Sequence, residues 1–208
     1  MPPAPRRAES SSRRSEVQVD VVQALEALLQ EDVPYAEIGV ERLAQRAGIS
    51  RTAFYFYFRD KREVLDRLTA SVATELLDAG GPWFTGDDTG ADALGTALGR
   101  IAAVFSAHGP LLRAVVEVAA AEPRVGDEWR GLIGRFVAAT ARQIEAEQAA
   151  GRATASDPHA TAFALVWGVE RALFQQIARG ADVSLDAVVD ALHGIWLRAI
   201  YGRTDADA

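Results

Sequence analysis

Residues 40–65 read VERLAQRAGISRTAFYFYFRDKREVL, and here side chains of complementary chemistry crowd into one short stretch. Arginine can read guanine bidentately in a DNA groove, while tyrosine hydroxyls and a lysine ammonium suit phosphate oxygens. Arg51, Thr52, Ala53, Tyr55 and Tyr57 fall on one side of a short segment opened by Ser50, and Lys61 starts the next one. Together they form a candidate DNA-reading set: Ser50, Arg51, Thr52, Ala53, Tyr55, Tyr57 and Lys61.

That chemistry needs two helices joined by a tight turn, so that the second can enter a major groove. The pattern supplies them. Val40 to about Ala47 reads as a short helix stopped by Gly48, which tolerates the left-handed conformation of a helix terminator. Ser50 is a good N-cap for a segment ending near Phe58. Leu43, Ala44 and Ile49 can form the small core that sets the interhelix angle, and Phe54 and Phe58, four apart, can pin the second helix down. By pattern alone FYFYF also fits a strand with Phe54, Phe56 and Phe58 on one face. The flanking turn and the Lys-Arg-Glu helix start favour the helix.

The remaining chain is patterned as helix. Glu16 opens a helix with Val17, Val21, Val22, Leu25, Leu28 and Leu29 on one face, and Lys61 opens another through Leu77. Gly80-Gly81-Pro82 and the acidic, glycine-rich stretch to Gly90 read as the clearest internal loop. Further helices are expected at about 91–107, 110–121, 124–150, 157–179 and 184–201. The fold class is all-α, with about nine helices. Residues 1–14, rich in Pro, Ser and Arg, read as a disordered basic arm. Arg13 and Arg14 either reach phosphates or a minor groove, or belong to a solvated tail.

The net charge of −7 argues against a polyanionic partner until it is divided along the chain. Residues 1–67 hold 11 basic and 11 acidic side chains, and the rest hold 11 and 18, so the whole excess lies in the second part. Only the first part is then suited to meet DNA. Cysteine is absent, which excludes disulfides, thiolate metal sites and a cysteine nucleophile. His108, His159 and His193 show no metal-ligand spacing, and no nucleophile elbow, P-loop or dinucleotide fingerprint occurs. An enzyme is not expected, nor is a cofactor or metal. No apolar run reaches the ~18 residues of a membrane span and no secretory signal precedes the first helix, so a cytoplasmic protein without a membrane partner is expected.

In the second part, Trp129, Phe136 and Thr140 share a face of one expected helix, and Val166, Val169, Glu170 and Phe174 share a face of the next. Trp167 is adjacent, and Trp196 comes from the last helix. Converging aromatics of this kind build either a core or a ligand pocket. Glu170 is out of place on an apolar face: it either pairs with an arginine such as Arg171 or anchors a ligand with its pKa raised by desolvation. The last two helices are apolar on more than one face, through Leu185, Val188, Val189, Leu192, Ile195 and Ile200. A homodimer seam through these helices would absorb the excess.

The segment from Leu43-Ala44 through Ala47-Gly48-Ile49-Ser50, Phe54-Tyr55, Phe58 and Lys61 resembles the signature of the TetR family of transcriptional repressors. Gly39 stands where that family often has a Thr or Ser cap. HGIWLRAIYG at 193–202 is similar to the last helix of its EthR-type branch. The resemblance implies a helix-turn-helix domain at 15–62, a ligand-binding and dimerisation domain at 63–202 and a disordered tail at 203–208. It implies a regulator that binds a palindromic double-stranded operator as a dimer, released by a lipophilic small-molecule effector. In that role Arg51, Thr52 and Ala53 would face bases, while Tyr55, Tyr57 and Lys61 would hold phosphates. The ligand channel would be lined by Leu94, Ile101, Phe105, Trp129, Phe136, Thr140, Val166, Trp167, Val169, Glu170, Phe174 and Trp196. Val166 and Val169 stand where the branch has polar amides, Phe136 where it has a Trp and Leu94 where it has another aromatic. These replacements imply a pocket less able to orient a carbonyl or amide. The alternatives are a helical ligand binder without DNA binding and a DNA-bound regulator that does not respond to ligand.

Overall fold

Nine α-helices make up the regular structure of the computed structural model, which describes residues 6–85 and 90–202, and no strand occurs among the described residues. They divide into one unit that ends at Ser71 and a second that begins at Val72, with α4 (Lys61–Thr85) running from the first into the second.

The first unit contains α1 (Arg6–Gln30), α2 (Val40–Arg46), α3 (Arg51–Tyr57) and the start of α4. Val21, Ala24, Leu25, Leu28 and Leu29 form the buried face of α1, against a core that includes Ile38, Leu43, Phe54, Phe58, Val64 and Leu65. The helix starts at Arg6, not at Glu16 where its apolar period begins, so residues 6–14 are helical and not an unstructured arm. Once the buried face has nucleated the helix, each added residue costs little, and no proline or glycine lies between Arg6 and Glu16 to stop it. After α1 the chain turns through Asp32 at φ 57°, with Val33 N–H donating to Leu28 O at 3.1 Å and Asp32 N–H to Leu29 O at 3.0 Å. This paired closure satisfies the last carbonyls of the helix. Residues 1–5, 86–89 and 203–208 lie outside the described residues, and with them the expected tail and part of the expected arm.

The second unit holds the rest of α4 with α5 (Ala91–Ala107), α6 (Gly109–Ala121), α7 (Pro123–Ala149), α8 (Pro158–Leu173) and α9 (Leu185–Tyr201). α7 packs along α8, and α5 packs on α9. At the second contact Gly95 lies close to His193: a Cβ there would stand 3.1 Å from the ring, tighter than ordinary packing. The expected loop at Gly80-Gly81-Pro82 is instead the last part of α4. Pro82 removes one helix hydrogen bond, but the aromatics beyond it hold the turn in place. Trp83 is buried with its ring 5.8 Å from that of Trp196, and its indole N–H donates to the Tyr201 hydroxyl at 3.4 Å. Phe84 meets Phe136 at 5.7 Å.

At the far end of α7, Glu147 is fully buried and ion-paired with Arg152 at 2.7 Å, and it accepts from Gln143 at 3.2 Å. α8 does not continue as an α-helix to 179: its backbone widens into a π turn at Phe174–Ala178. No single helix among the described residues is long and apolar enough to cross a membrane.

Candidate functional site

α2, the turn and α3 form a helix-turn-helix whose parts follow from the local sequence. Gly48 closes α2 at φ 69°, with Gly48 N–H donating to Gln45 O at 3.2 Å and Ile49 N–H to Ala44 O at 2.9 Å. A non-glycine residue would carry a steric penalty there. Ser50 caps α3, its Oγ accepting from the Ala53 N–H at 3.1 Å. Phe54 and Phe58 are both buried and stacked at 5.5 Å, so one face of α3 is committed to the core. FYFYF is therefore helix, not strand.

The opposite face looks outward. Arg51, Thr52 and Tyr55 are exposed, and Ala53 and Tyr57 are half-buried at the sides. Phe56, which the sequence reading leaves out of the set, is the most exposed of the five aromatics at 69%. It lies four residues after Thr52 and opposite the Phe54–Phe58 face, a spacing that could have revealed it. The Arg14 guanidinium of α1 sits 5.5 Å from the centre of the Phe56 ring. This brings one of the two arm arginines onto the same surface.

Lys61 has two backbone partners at the edge of this surface. Its Nζ donates to Tyr35 O at 2.9 Å and Ala36 O at 3.2 Å and lies 4.5 Å from the Tyr35 ring centre. The ammonium ties the start of α4 to the turn that precedes α2.

In the second unit an apolar cavity of about 40 Å³ lies among α4, α5, α7, α8 and α9. Ile101, Phe105, Phe136, Val166, Val169, Glu170 and Trp196 line it, as expected, joined by Leu76, Phe84, Leu98, Leu132 and Ile133, which the sequence reading missed. A water needs on the order of 10–15 Å³ of such space, so the cavity has room for a few waters.

Leu94, Trp129, Thr140, Trp167 and Phe174 do not line the cavity. Leu94 is buried elsewhere in the core, and Thr140 is fully buried with an Oγ1 that makes no hydrogen bond. Trp167 faces the exposed Phe163, with their rings 6.3 Å apart. Phe174 is buried at the start of the π turn and is not part of the cavity wall. Arg171 and Arg179 lie over that ring at 5.4 and 5.7 Å.

Among the described residues Glu170 is the one ionisable group on the cavity wall, and it is 4% exposed. Its Oε1 accepts from the Trp129 indole N–H at 3.4 Å, while Oε2 accepts no hydrogen bond and has the Arg171 guanidinium at 3.7 Å. Burial pushes its pKa above the ordinary carboxylate value, against smaller opposing effects of Arg171 and Trp129.

Comparison with known proteins agrees with both halves of this arrangement. Residues 24–68 match the model of the bacterial regulatory proteins of the tetR family, and residues 94–202 match the C-terminal domain of the transcriptional regulator EthR. The chain is 34% identical over 190 residues to the HTH-type transcriptional regulator EthR of Mycobacterium tuberculosis, covering 84% of this chain and 83% of that protein. It is 33% identical over 190 residues to EthR of Mycolicibacterium smegmatis, covering 84% and 82%. A TetR-family regulator from Mesorhizobium loti shares the fold at a TM-score of 0.75 and 21% identity, covering 91% of this chain and 98% of that one. With a helix-turn-helix at one end and an EthR-type helical domain at the other, the chain belongs to the TetR family of transcriptional regulators.

Proposed function

We propose that this regulator is a repressor that binds a palindromic operator as a homodimer and is released by a lipophilic small molecule held in the cavity of its second unit. The observation that carries the reading is the division of α3 into a buried Phe54–Phe58 face and an outward face of Arg51, Thr52, Tyr55 and Phe56. In the major groove Arg51 reads a guanine, Thr52 and Ala53 approach base edges, and Phe56 packs on a thymine methyl or sugar. Ser50, Tyr55 and Tyr57 hold phosphates. Lys61 acts by position, keeping α3 and α4 in place through the Tyr35 and Ala36 carbonyls.

The homodimer forms through α8 and α9, where Phe163 is 55% and Ile195 49% exposed, with Trp167, Val188 and Val189 half-buried around them. Exposed apolar groups of this size on neighbouring helices mark an interaction surface. A two-fold axis there repeats the reading helix on a palindrome. α4 carries Lys61 at its start and Leu76 and Phe84 on the cavity wall further on, so a ligand that widens the cavity acts on the helix that begins at the reading head. The ligand releases DNA only by binding the non-binding conformer more tightly, about 1.4 kcal/mol per tenfold loss of operator affinity.

Helix-turn-helix residues 15–62, ligand-binding and dimerisation residues 63–202 and a cytoplasmic location complete the reading. Selection of duplexes from a random pool tests it: enrichment of an inverted repeat supports the reading, and no enrichment at moderate salt overturns it. The small volume of the cavity favours one other reading, a regulator that stays on its operator whatever ligand is present. A bound ligand that leaves operator affinity unchanged would establish it.

A further inference from the structure

The cavity wall combines aromatic rings with a single carboxylate. Phe84, Phe105, Phe136 and Trp196 line it, and among the described residues no lysine, arginine or histidine does. Glu170 brings a buried oxygen, Oε2, that accepts no hydrogen bond, and its companion Oε1 takes one long bond from Trp129. The Trp196 indole N–H, buried on the same wall, also lacks an acceptor. Arg171 compensates the carboxylate poorly, because its guanidinium stands 3.7 Å away and its side chain is 60% exposed.

A carboxylate in apolar surroundings is stabilised by a cation that brings its own N–H donors, and aromatic faces attract the same cation through their quadrupoles. The wall repels an anionic ligand. To a neutral carbonyl it offers one indole donor, beside a carboxylate that disfavours the carbonyl oxygen. We propose that the effector is a lipophilic primary or secondary amine, whose ammonium donates to Glu170 while its hydrocarbon body lies among Phe84, Phe105, Phe136 and Trp196. This rests on the reading of the cavity as the effector site and adds the ligand's head group to it. Burial raises the pKa of Glu170, and a bound ammonium opposes that shift by favouring its carboxylate form.

The test uses one skeleton with three head groups: 4-phenylbutylamine, 4-phenylbutan-1-ol and 4-phenylbutyrate. Each is titrated calorimetrically into the full-length chain, as wild type, Glu170→Gln and Glu170→Asp, with folding checked by thermal melting. The amine is expected to bind wild type at least tenfold more tightly than the alcohol, with the butyrate weakest. Glu170→Gln is expected to bring the amine down to the affinity of the alcohol without weakening the alcohol, and Glu170→Asp to retain part of the preference. If the alcohol or butyrate binds as tightly as the amine, or if Glu170→Gln weakens amine and alcohol equally, the amine proposal is overturned while the cavity remains a ligand site. If none of the three binds, the effector-site reading falls and the proposal falls with it.

Discussion

Lys61 Nζ donates to the carbonyl of Tyr35 at 2.9 Å, joining the first residue of α4 to a turn 26 positions earlier in the chain. With a second bond to Ala36 O and the Tyr35 ring beneath it, the ammonium does structural work at the edge of the reading head. Charged hydrogen bonds of this kind contribute about 1.5–3 kcal/mol each. Lys61→Met is therefore expected to lower the stability of the chain by about 1–3 kcal/mol in urea unfolding and to weaken DNA binding as a consequence. Unchanged stability with DNA binding lost would assign Lys61 to direct phosphate contact.

Glu170 gives the second prediction, with its sign set by burial. Its folded-state pKa is raised, so as pH rises the unfolded chain ionises this group first and the folded state loses stability relative to it. The loss begins near the unfolded value of about 4.3 and is complete above the raised folded value. Without ligand, Glu170→Gln should therefore melt at a higher temperature than wild type at pH 7, and the difference should vanish as pH falls towards 4. A variant less stable than wild type at pH 7 would show that the Trp129 bond and Arg171 outweigh desolvation.

The third prediction concerns α8 and α9. Phe163 and Ile195 are half-exposed apolar side chains on these two helices, and a charge on each would have to be buried in a dimer. The double variant Phe163→Glu with Ile195→Glu is expected to weaken dimerisation by at least about tenfold, or about 1.4 kcal/mol, in light scattering and sedimentation. A wild type that is monomeric at tens of micromolar would contradict the seam itself.

The reading head was legible because its signals are local: the Leu43-Ala44 pair, Gly48 at a left-handed turn, the Ser50 cap and Phe54 four residues before Phe58. Phe56 was left out although its exposure follows once Phe54 and Phe58 take the core, whereas the acceptors of Lys61 are backbone carbonyls that sequence does not display. Gly80-Gly81-Pro82 reads as a break by local rules, yet the burial of Trp83 against Trp196 carries the helix through it. On the cavity wall, Phe136, Val166, Val169, Glu170 and Trp196 were legible from helical spacing, and Ile101 and Phe105 only from the family resemblance. Leu98, Leu132 and Ile133 were not, because aliphatic residues on a buried face look the same whether they meet a cavity or a side chain. Phe174 shares a helical face with Glu170 by spacing, but the cavity ends short of its ring, and no residue type announces the π turn that starts there.

Whether the outward face of α3 reads DNA is decided by a mobility-shift titration with DNA from the chain's own promoter region. Wild type is expected to give a specific shift that resists non-specific competitor. Arg51→Ala is expected to lose about 1–3 kcal/mol of that binding, roughly 5- to 150-fold. Arg142→Ala, at an exposed position on α7, is expected to change nothing. A shift that Arg51→Ala leaves intact would contradict the account, as would the absence of specific binding both to this DNA and to duplexes selected at random.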